Sequence, residues 1–332
     1  MRQALATTIA VGLTGSALFA TGCRPSKPAG AREQVRFGLS AEIPNALPII
    51  AIQQGFFAAE GLDLTVTEYV SGARALSELF TGAVEVATVA EVPIVAASFQ
   101  RQDFRLFASI AVAGDAHSIV ARRDAGIRQP AELRGKRIAT QRASSVHFFL
   151  HLFLVNHGLA DKDVTLSFLN AEELVPALMA GRIDAFSMRE PFVSAALAQL
   201  GTNAVVFQPP GLYVRTQHLV GSAAFLRDRP ETARRLVRGL LVAERFARHH
   251  PLEARQMMAR QLAIAPDHLV GQWAQLNLKV SLDQSLLSQL EDEAIWLRDS
   301  HLVPPAPLPN YLRLLEPSVL GAVKPEAVTL LP

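Results

Sequence analysis

The stretch LRGKRIATQRASS, residues 133–145, indicates how this chain folds. Gly135 followed by Lys136 predicts a turn, residues 137–139 predict a short strand, and the polar residues 140–142 predict a loop. A helix-forming segment comes next, so the stretch contains a strand, a loop and a helix start in succession. That order is typical of proteins in which parallel strands alternate with helices.

The start of the predicted helix is suited to binding an anion. Ser144 or Ser145 fits the N-cap position. The first N–H groups of a helix have no partner within the helix, and the helix dipole adds a partial positive charge at the same place. Arg142 adds a full positive charge beside it. The sequence therefore predicts that this loop holds a small anionic molecule.

The same alternation extends in both directions along the chain. Upstream, alternating apolar residues predict strands at 35–40, 62–67 and 84–89, separated by helices. Downstream, strands are predicted at 165–168 and 183–188, with a helix between them. Short connections between such elements favour an α/β fold with mostly parallel sheets that carry helices on both faces.

From residue 225 onward the pattern is helical almost throughout. Leu236 and Leu240 follow the spacing of one helix face. Ser281 with Gln284 is predicted to form a capping box that opens a later helix. The last third of the chain is therefore expected to be mainly helical.

The length and the charge balance restrict the classes of function. At 332 residues the chain is long enough for two domains, and 50% of its residues are hydrophobic. Its net charge is only +2, whereas nucleic-acid binding usually needs a concentrated basic surface. We therefore expect two folded domains and no nucleic-acid partner.

Residues 1–22 predict a signal peptide that is not part of the fold. Arg2 supplies a positive charge, an apolar segment follows, and the small residues 20–22 stand directly before Cys23, the only cysteine of the chain. This ending resembles the bacterial lipobox, after which the cysteine is acylated and anchors the protein to a membrane. Residues 23–34 contain two prolines and no large apolar residue, so they predict a flexible tether.

Three segments carry a resemblance to a known family. They are IPNALPIIAIQQGFFAAEGLDLTV at 43–66, LRGKRIAT at 133–140 and LMAGRIDAFSMREPF at 178–192. In this order they resemble the periplasmic substrate-binding proteins of ABC importers, in the branch that handles nitrate, alkanesulfonates, taurine and thiamine precursors. The resemblance implies a two-lobed periplasmic binding protein fold (type II), with the ligand in the cleft between the lobes. It also implies permease and ATPase partners, no cofactor, and a place on the periplasmic side of the bacterial cell envelope.

Together with the strand pattern, the resemblance divides the mature chain into two lobes. Lobe 1 is expected to comprise residues 35–114 and 217–332, and lobe 2 residues 115–216. The chain is expected to cross between them near residues 113–117 and 209–217. The C-terminal helices then return to lobe 1.

The expected ligand-binding residues lie in loops that follow the predicted strands. In open α/β sheets, ligands bind beyond the carboxyl ends of the strands. Two of the selected loops, at Ser71 and Ser144, are also helix starts that face the cleft from opposite lobes. The selected residues are Glu42, Asn45, Ser71, Gly72, Ala73, Glu91, Gln141, Arg142, Ser144, Ser145, Arg189 and Glu190.

The charges of these residues leave the class of ligand open. Arg142 and Arg189 favour an anion such as a sulfonate or nitrate, whereas Glu42 and Glu91 favour a cation or a hydrogen-bond donor. A zwitterion such as taurine would use both kinds of charge. A pyrimidine or thiamine precursor would instead use Asn45 and the carboxylates.

Some of these side chains also have a purely structural explanation. Arg189 and Glu190 can pair with each other at the surface, where ion pairs stabilise little. His147 and His151 have the spacing of metal ligands, but the neighbouring phenylalanines at 148–149 favour packing, so no metal is expected. Two other functions stay open, namely a lyase-type enzyme on the same fold and a sensory module that signals to a membrane kinase.

Overall fold

The computed structural model of the chain describes residues 32–114 and 116–331. The predicted signal peptide, the predicted lipidation site at Cys23 and most of the predicted tether lie outside these residues. Within them the chain forms two β-sheets flanked by helices. The strands are β1 (Glu33–Ser40), β2 (Leu62–Tyr69), β3 (Val86–Ala90), β4 (Phe104–Gly114), β5 (Ser118–Arg122), β6 (Arg137–Thr140), β7 (Thr165–Phe168), β8 (Ala185–Met188), β9 (Ala204–Phe207), β10 (Val214–Ser222) and β11 (Leu276–Asn277).

The first sheet is mixed: β1, β2, β3 and β4 run in one direction, and the central β10 and the edge strand β11 run in the other. Among the described residues its six strands lie in the order β11-β4-β10-β3-β1-β2. Strand β1 is parallel to β2 and β3, whereas β10 runs antiparallel between β3 and β4. Because β10 runs in the opposite direction, its first residues lie at the same edge of the sheet as the carboxyl ends of β1, β2 and β3.

The second sheet repeats this arrangement with five strands in the described chain. Their order is β7-β6-β8-β5-β9. Strand β6 is parallel to β7 and β8, whereas β5 is antiparallel to both of its neighbours. The carboxyl ends of β7, β6 and β8 therefore lie side by side at one edge.

Helices cover the sheets, as the alternating pattern predicts. Separate apolar clusters pack against the second sheet, one built around Phe149 and Phe153 and the other around Leu174 and Leu178. The helices are α1 (Ala46–Gln53), α2 (Phe56–Ala59), α3 (Gly72–Thr81), α4 (Glu91–Ser98), α5 (Ser145–Asn156), α6 (Ala171–Met179), α7 (Phe192–Leu200), α8 (Ala223–Asp228), α9 (Pro230–His249), α10 (Pro251–Leu262), α11 (Val270–Ala274), α12 (Ser285–Asp299), α13 (Tyr311–Leu314) and α14 (Pro317–Gly321).

The C-terminal helices pack against the first sheet, in agreement with the sequence pattern. Helix α9 lies so close to α2 that a Cβ on Gly239 would stand 2.6 Å from the ring of Phe57. The buried residues Leu236 and Leu240 of α9 belong to the same apolar cluster as the first-sheet strands. No helix in the described part of the chain is both long and apolar enough to cross a membrane.

The predicted capping box at Ser281 is wrong. The backbone N–H and C=O of Ser281 pair with those of Ser109 on β4, at 3.1 and 2.9 Å. Helix α12 begins three residues later than predicted, at Ser285, and Gln284 precedes it without a side-chain cap. Residue 281 thus extends the sheet edge instead of opening a helix.

The chain passes between the sheets at two places. It leaves the first sheet after Gly114 and enters the second at Ser118. It returns between Phe207 and Val214. Residues 214–216 therefore belong to the first sheet, which corrects the predicted start of that lobe at residue 217.

Candidate functional site

A cavity of about 430 Å³ lies where the edges of the two sheets face each other. Residues that follow β1, β2 and β3 line one wall, and residues at the ends of β6, β7 and β8 line the other. The residues that the sequence predicted and that line this cavity are Glu42, Ser71, Gly72, Ala73, Gln141, Arg142, Ser144, Ser145 and Arg189. Their role in binding a ligand stays a prediction.

Helix α3 begins at the first wall of the cavity. Ser71 is its N-cap, and the Ser71 hydroxyl accepts a hydrogen bond from the Arg74 N–H at 3.3 Å. Gly72 lets the helix approach strand β3, since a Cβ there would stand 3.0 Å from the Thr88 carbonyl oxygen and from Val89 Cα. The close approach fixes this helix start against the strand ends.

Helix α5 begins at the opposite wall. Ser144 is the N-cap, but its hydroxyl donates to the Gln141 carbonyl oxygen at 2.6 Å and does not cap the helix. The Ser145 hydroxyl lies 3.2 Å from Nε2 of the buried His117. The first turn of α5 therefore faces the cavity without a side-chain cap, as an anion site at a helix N-terminus requires.

A buried cluster of three charges forms the inner end of the cavity. Glu42 follows β1, Arg189 follows β8, and Arg215 lies near the start of β10. The Glu42 carboxylate pairs with Arg189 at 2.9 Å and with Arg215. All three side chains are buried, and the Glu42–Arg189 pair joins the two sheets.

The two guanidinium groups keep Glu42 ionised. Burial by itself raises the pKa of Glu42, but the positive charges of Arg189 and Arg215 outweigh it and lower this pKa to about 2. Arg189 is held further by donating to the Val70 carbonyl at 3.2 Å and to Gln141 Oε1 at 3.2 Å. Glu42 is therefore a counter-charge for the arginines.

Several hydrogen-bond donors of the two arginines have no partner in the part of the chain that the structure describes. Arg189 Nε, Arg215 Nε and Arg215 Nη1 are buried and have no hydrogen-bond partner among the described residues. Buried donors without partners are rare and costly in folded proteins. One carboxylate also faces two cations here. The cluster therefore has a net positive charge and three buried donors without a partner among the described residues.

Three predicted residues lie away from this cavity. Asn45 is buried in the turn after β1, where its amide donates to the carbonyl and the hydroxyl of Ser40 at 2.6 and 2.9 Å. The Glu190 carboxylate accepts from Ser194 N–H and Oγ at 3.1 and 3.0 Å, and it lines a different cavity. Local hydrogen bonds hold both side chains away from the cavity, where they were expected because they follow predicted strands.

Glu91, the third of these residues, belongs to a buried network behind the cavity. Its carboxylate accepts from the Tyr213 hydroxyl and from the Thr216 N–H at 3.0 Å. Gln289 connects Thr216 to Glu293, a second fully buried carboxyl group. Burial raises the pKa of Glu91 to about 7, although the charge of Arg215 lowers it. Burial and the Glu91 charge raise the pKa of Glu293 well above its usual range.

The sequence analysis missed several residues of the cavity. The most important of them is Arg215, which pairs with Glu42. It was not predicted because it lies at the start of an antiparallel strand, whereas the rule selects residues at the ends of strands. Phe168 and Asn170 close the outer end of the cavity, at the carboxyl end of β7. That strand was predicted at the correct position, so the same rule would have identified both residues.

The two histidines with metal-ligand spacing have different partners. His147 Nδ1 accepts from the Ala143 N–H at 3.3 Å, and burial lowers the pKa of His147 to about 4. His151 lies 3.2 Å from Asp161. Between residues 32 and 331, Asp115 excepted, no group of three or more His, Cys, Asp or Glu residues is arranged to hold a metal ion.

The comparisons with known proteins agree with the sequence resemblance. The NMT1/THI5-like family matches residues 44–254, which is more than half of the chain. A putative aliphatic sulfonates-binding protein from Bacillus subtilis is 25% identical over 192 residues, covering 56% of this chain and 57% of that protein. The chain spans about half the length of the curated relatives it matches.

Solved structures confirm the predicted fold class. The alkanesulfonate-binding protein SsuA from Xanthomonas axonopodis, bound to MOPS, has a TM-score of 0.73 and 20% identity, and the match covers 86% of this chain and 97% of that one. The desulfurization enzyme DSZB has a TM-score of 0.65 and 20% identity, and the match covers 89% and 99%. The fold therefore occurs in a binding protein and in an enzyme.

Proposed function

The chain belongs to the NMT1/THI5-like family, and from this premise we propose that it is the solute-binding receptor of an ABC importer. It captures a small sulfonate-type anion between its two sheets and delivers it to a permease that is coupled to an ATPase. The relatives named above as sulfonate-binding proteins support this assignment. The proposed lobes are residues 35–114 with 214–332, and residues 115–213.

The spare donors of Arg189 and Arg215 are the observation that carries the proposal. Each charge-assisted hydrogen bond to an anionic oxygen contributes about 1.5–3 kcal/mol. A sulfonate presents several oxygens to such donors and adds the negative charge that the cluster lacks. The first turns of α3 and α5 face the same cavity from opposite sides, so an anion between them would draw the two sheets together.

The positions of the other polar groups favour an anion over a pyrimidine or a zwitterion. Asn45 and Glu91, which a pyrimidine would need, do not line the cavity. Glu42 lines it, but both of its oxygens already pair with arginines. No free carboxylate at the inner end is thus available to an amino group.

We favour binding without catalysis. No cysteine or histidine is among the described residues that line the cavity. The nearby His117 and His147 are buried, and burial lowers the pKa of each, so both are neutral and only weakly basic at neutral pH. Ser145 Oγ lies 3.2 Å from His117 Nε2, but the lowered pKa of His117 makes it a weak base for this hydroxyl, whereas the arginines are strong donors for an anion.

Binding is tested by calorimetry and thermal shift with the purified protein. The panel contains methanesulfonate, taurine, nitrate and sulfate, with chloride at equal ionic strength as the reference. We expect saturable binding of a sulfonate and a melting temperature that rises with its concentration. Failure of every sulfonate to bind would overturn the proposal.

The Arg189→Gln variant tests the inner end of the cavity. Loss of its charged donors is expected to weaken sulfonate binding by about 10- to 100-fold, as for one charge-assisted hydrogen bond. Arg182→Gln is the matched control, because Arg182 is exposed and lies outside the cavity. Equal affinities of the two variants would place the anion elsewhere.

The lipid anchor is a separate part of the proposal. Cys23 directly follows the small residues of the predicted signal peptide. We expect a Cys23→Ser variant, expressed in a bacterium, to lose palmitate labelling and to leave the membrane fraction. Unchanged labelling would show that another residue carries the acyl chain.

A further inference from the structure

The cavity is much larger than a bare inorganic anion. Its volume is about 430 Å³, whereas one water molecule occupies about 30 Å³ in the liquid. Pockets of about 300–1,000 Å³ typically hold organic ligands. An anionic group at Arg189 and Arg215 would fill only the inner end, so the remaining space is available to an organic tail.

The far end of the cavity is formed by Phe168. In the second sheet β6 lies between β7 and β8, and neighbouring strands are about 4.8 Å apart. Phe168 ends β7 and Arg189 follows β8, so their backbones are about 10 Å apart across the sheet edge. That separation accommodates an anionic group followed by one ring.

Phe168 is partly exposed and can contact such a tail. The residue is 37% exposed, with the Arg142 guanidinium over its ring. The edge-to-face contact with His147, at 5.0 Å between ring centroids, orients it. The facing wall contains the small residues Gly72, Ala73 and Ser77 of α3, which leave room beside the ring.

The charges near Phe168 disfavour a positively charged tail. The Arg142 guanidinium lies 5.3 Å from the centre of the Phe168 ring. Glu173 also lines the cavity, but its carboxylate accepts from the Asn170 N–H at 2.9 Å, as a helix cap. The Arg142 guanidinium would repel an ammonium group placed beside the ring.

We propose that the ligand of this cavity is a sulfonate with a neutral, flat ring as its tail, and that Phe168 is the residue that selects it. This inference rests on the proposed function, since it needs the anion at Arg189 and Arg215. Burying a ring against Phe168 removes apolar surface from water, and aromatic pairs gain about 0.5–1.5 kcal/mol beyond that burial.

The test compares benzenesulfonate, methanesulfonate and taurine by calorimetry. For the wild type we expect benzenesulfonate to bind at least 10-fold more tightly than methanesulfonate, and taurine to bind no more tightly than methanesulfonate. In Phe168→Ala the preference for benzenesulfonate should fall to about 2-fold or less, while the methanesulfonate affinity stays within about 2-fold of the wild type. Phe168→Tyr should restore the ring preference.

Leu252→Ala is the matched control, since Leu252 is a 58% exposed apolar residue on α10 outside the cavity. It should change neither affinity. Equal wild-type affinities for benzenesulfonate and methanesulfonate, or an unchanged preference in Phe168→Ala, would overturn this inference and leave the proposed function intact. If no sulfonate binds to the wild type, the proposed function itself fails.

Discussion

Replacing Glu42 by glutamine is expected to lower the free energy of unfolding by about 3–5 kcal/mol at pH 7, because it leaves buried cations without their partner. Glu42 pairs with Arg189 and Arg215, and both side chains are almost fully buried. Glutamine keeps the size of the side chain but removes the charge. Most of the loss is therefore the cost of two uncompensated guanidinium groups.

Urea unfolding at pH 7 measures this loss, and added sulfate identifies its cause. Sulfate should restore more stability to Glu42→Gln than to the wild type, because it supplies a negative charge where the carboxylate was. Chloride at equal ionic strength controls for screening. Asp299→Asn is the control variant, since Asp299 forms an exposed pair with Arg298 and should cost less than about 1 kcal/mol. A loss of less than about 1 kcal/mol for Glu42→Gln would contradict the prediction.

The Glu91→Gln variant is expected to gain stability relative to the wild type as the pH rises. The pKa of Glu91 is raised from its usual 4.5 to about 7 by burial. The folded state therefore holds a proton that the unfolded state releases, and stability is lost as the pH rises between these two values. The shift corresponds to about 3 kcal/mol. The variant cannot ionise and avoids this loss.

Other groups affect the wild-type profile in known directions. Glu42 contributes stability above pH 4.5 that is lost as the pH falls towards 2. Burial lowers the pKa of His117, His147 and His218. The protein therefore loses stability as the pH falls below 6.5, because the unfolded state takes up protons that these buried histidines do not. The wild type should be most stable near pH 6.5, with Glu91 and Glu293 causing the decline above it. The titratable groups that face these two carboxyls are Arg215, Tyr213, Asp292 and Tyr311, and His218 contacts Thr216, which donates to Glu91.

Urea unfolding of both proteins between pH 5 and pH 8 isolates the contribution of Glu91. The histidine contributions cancel in the difference between wild type and variant. We expect that difference to change by about 3 kcal/mol in favour of Glu91→Gln over this range. The Glu42→Gln variant serves as a comparison, because its difference from the wild type should stay constant over this range and shrink only below pH 4.5. A constant difference for Glu91→Gln would show that Glu91 is ionised in the folded state throughout.

The sequence predicted the elements and most of the strand-end loops because those features depend on local residues. The helix start at Ser144 and the strand before it follow from N-cap preference and apolar alternation. The same information explains why Ser71 and Gly72 were placed correctly. The loops that follow the parallel strands therefore lie at the cavity, although not every side chain in them points towards it.

The polar contacts between distant segments could not be predicted in this way. Arg215 reaches the cavity because β10 runs antiparallel between β3 and β4, and no local pattern gives the direction of a strand. Asn45 and Glu91 were assigned to the ligand because they stand near strand ends, but hydrogen bonds with Ser40 and Tyr213 turn them elsewhere. Which partner a polar side chain takes depends on the assembled fold.

The carboxylate of Glu42 also affects which solutes the cavity is expected to bind. It already neutralises one of the two arginine charges. A solute that binds beside it must therefore use the arginine N–H groups that do not contact Glu42. Those donors belong to rigid planar groups and point in fixed directions. A polyatomic oxyanion offers several acceptor atoms at different positions, whereas a halide offers a single one. We therefore expect sulfate to stabilise the wild type more than chloride does at equal ionic strength, and the wild-type arms of the urea experiment measure this difference.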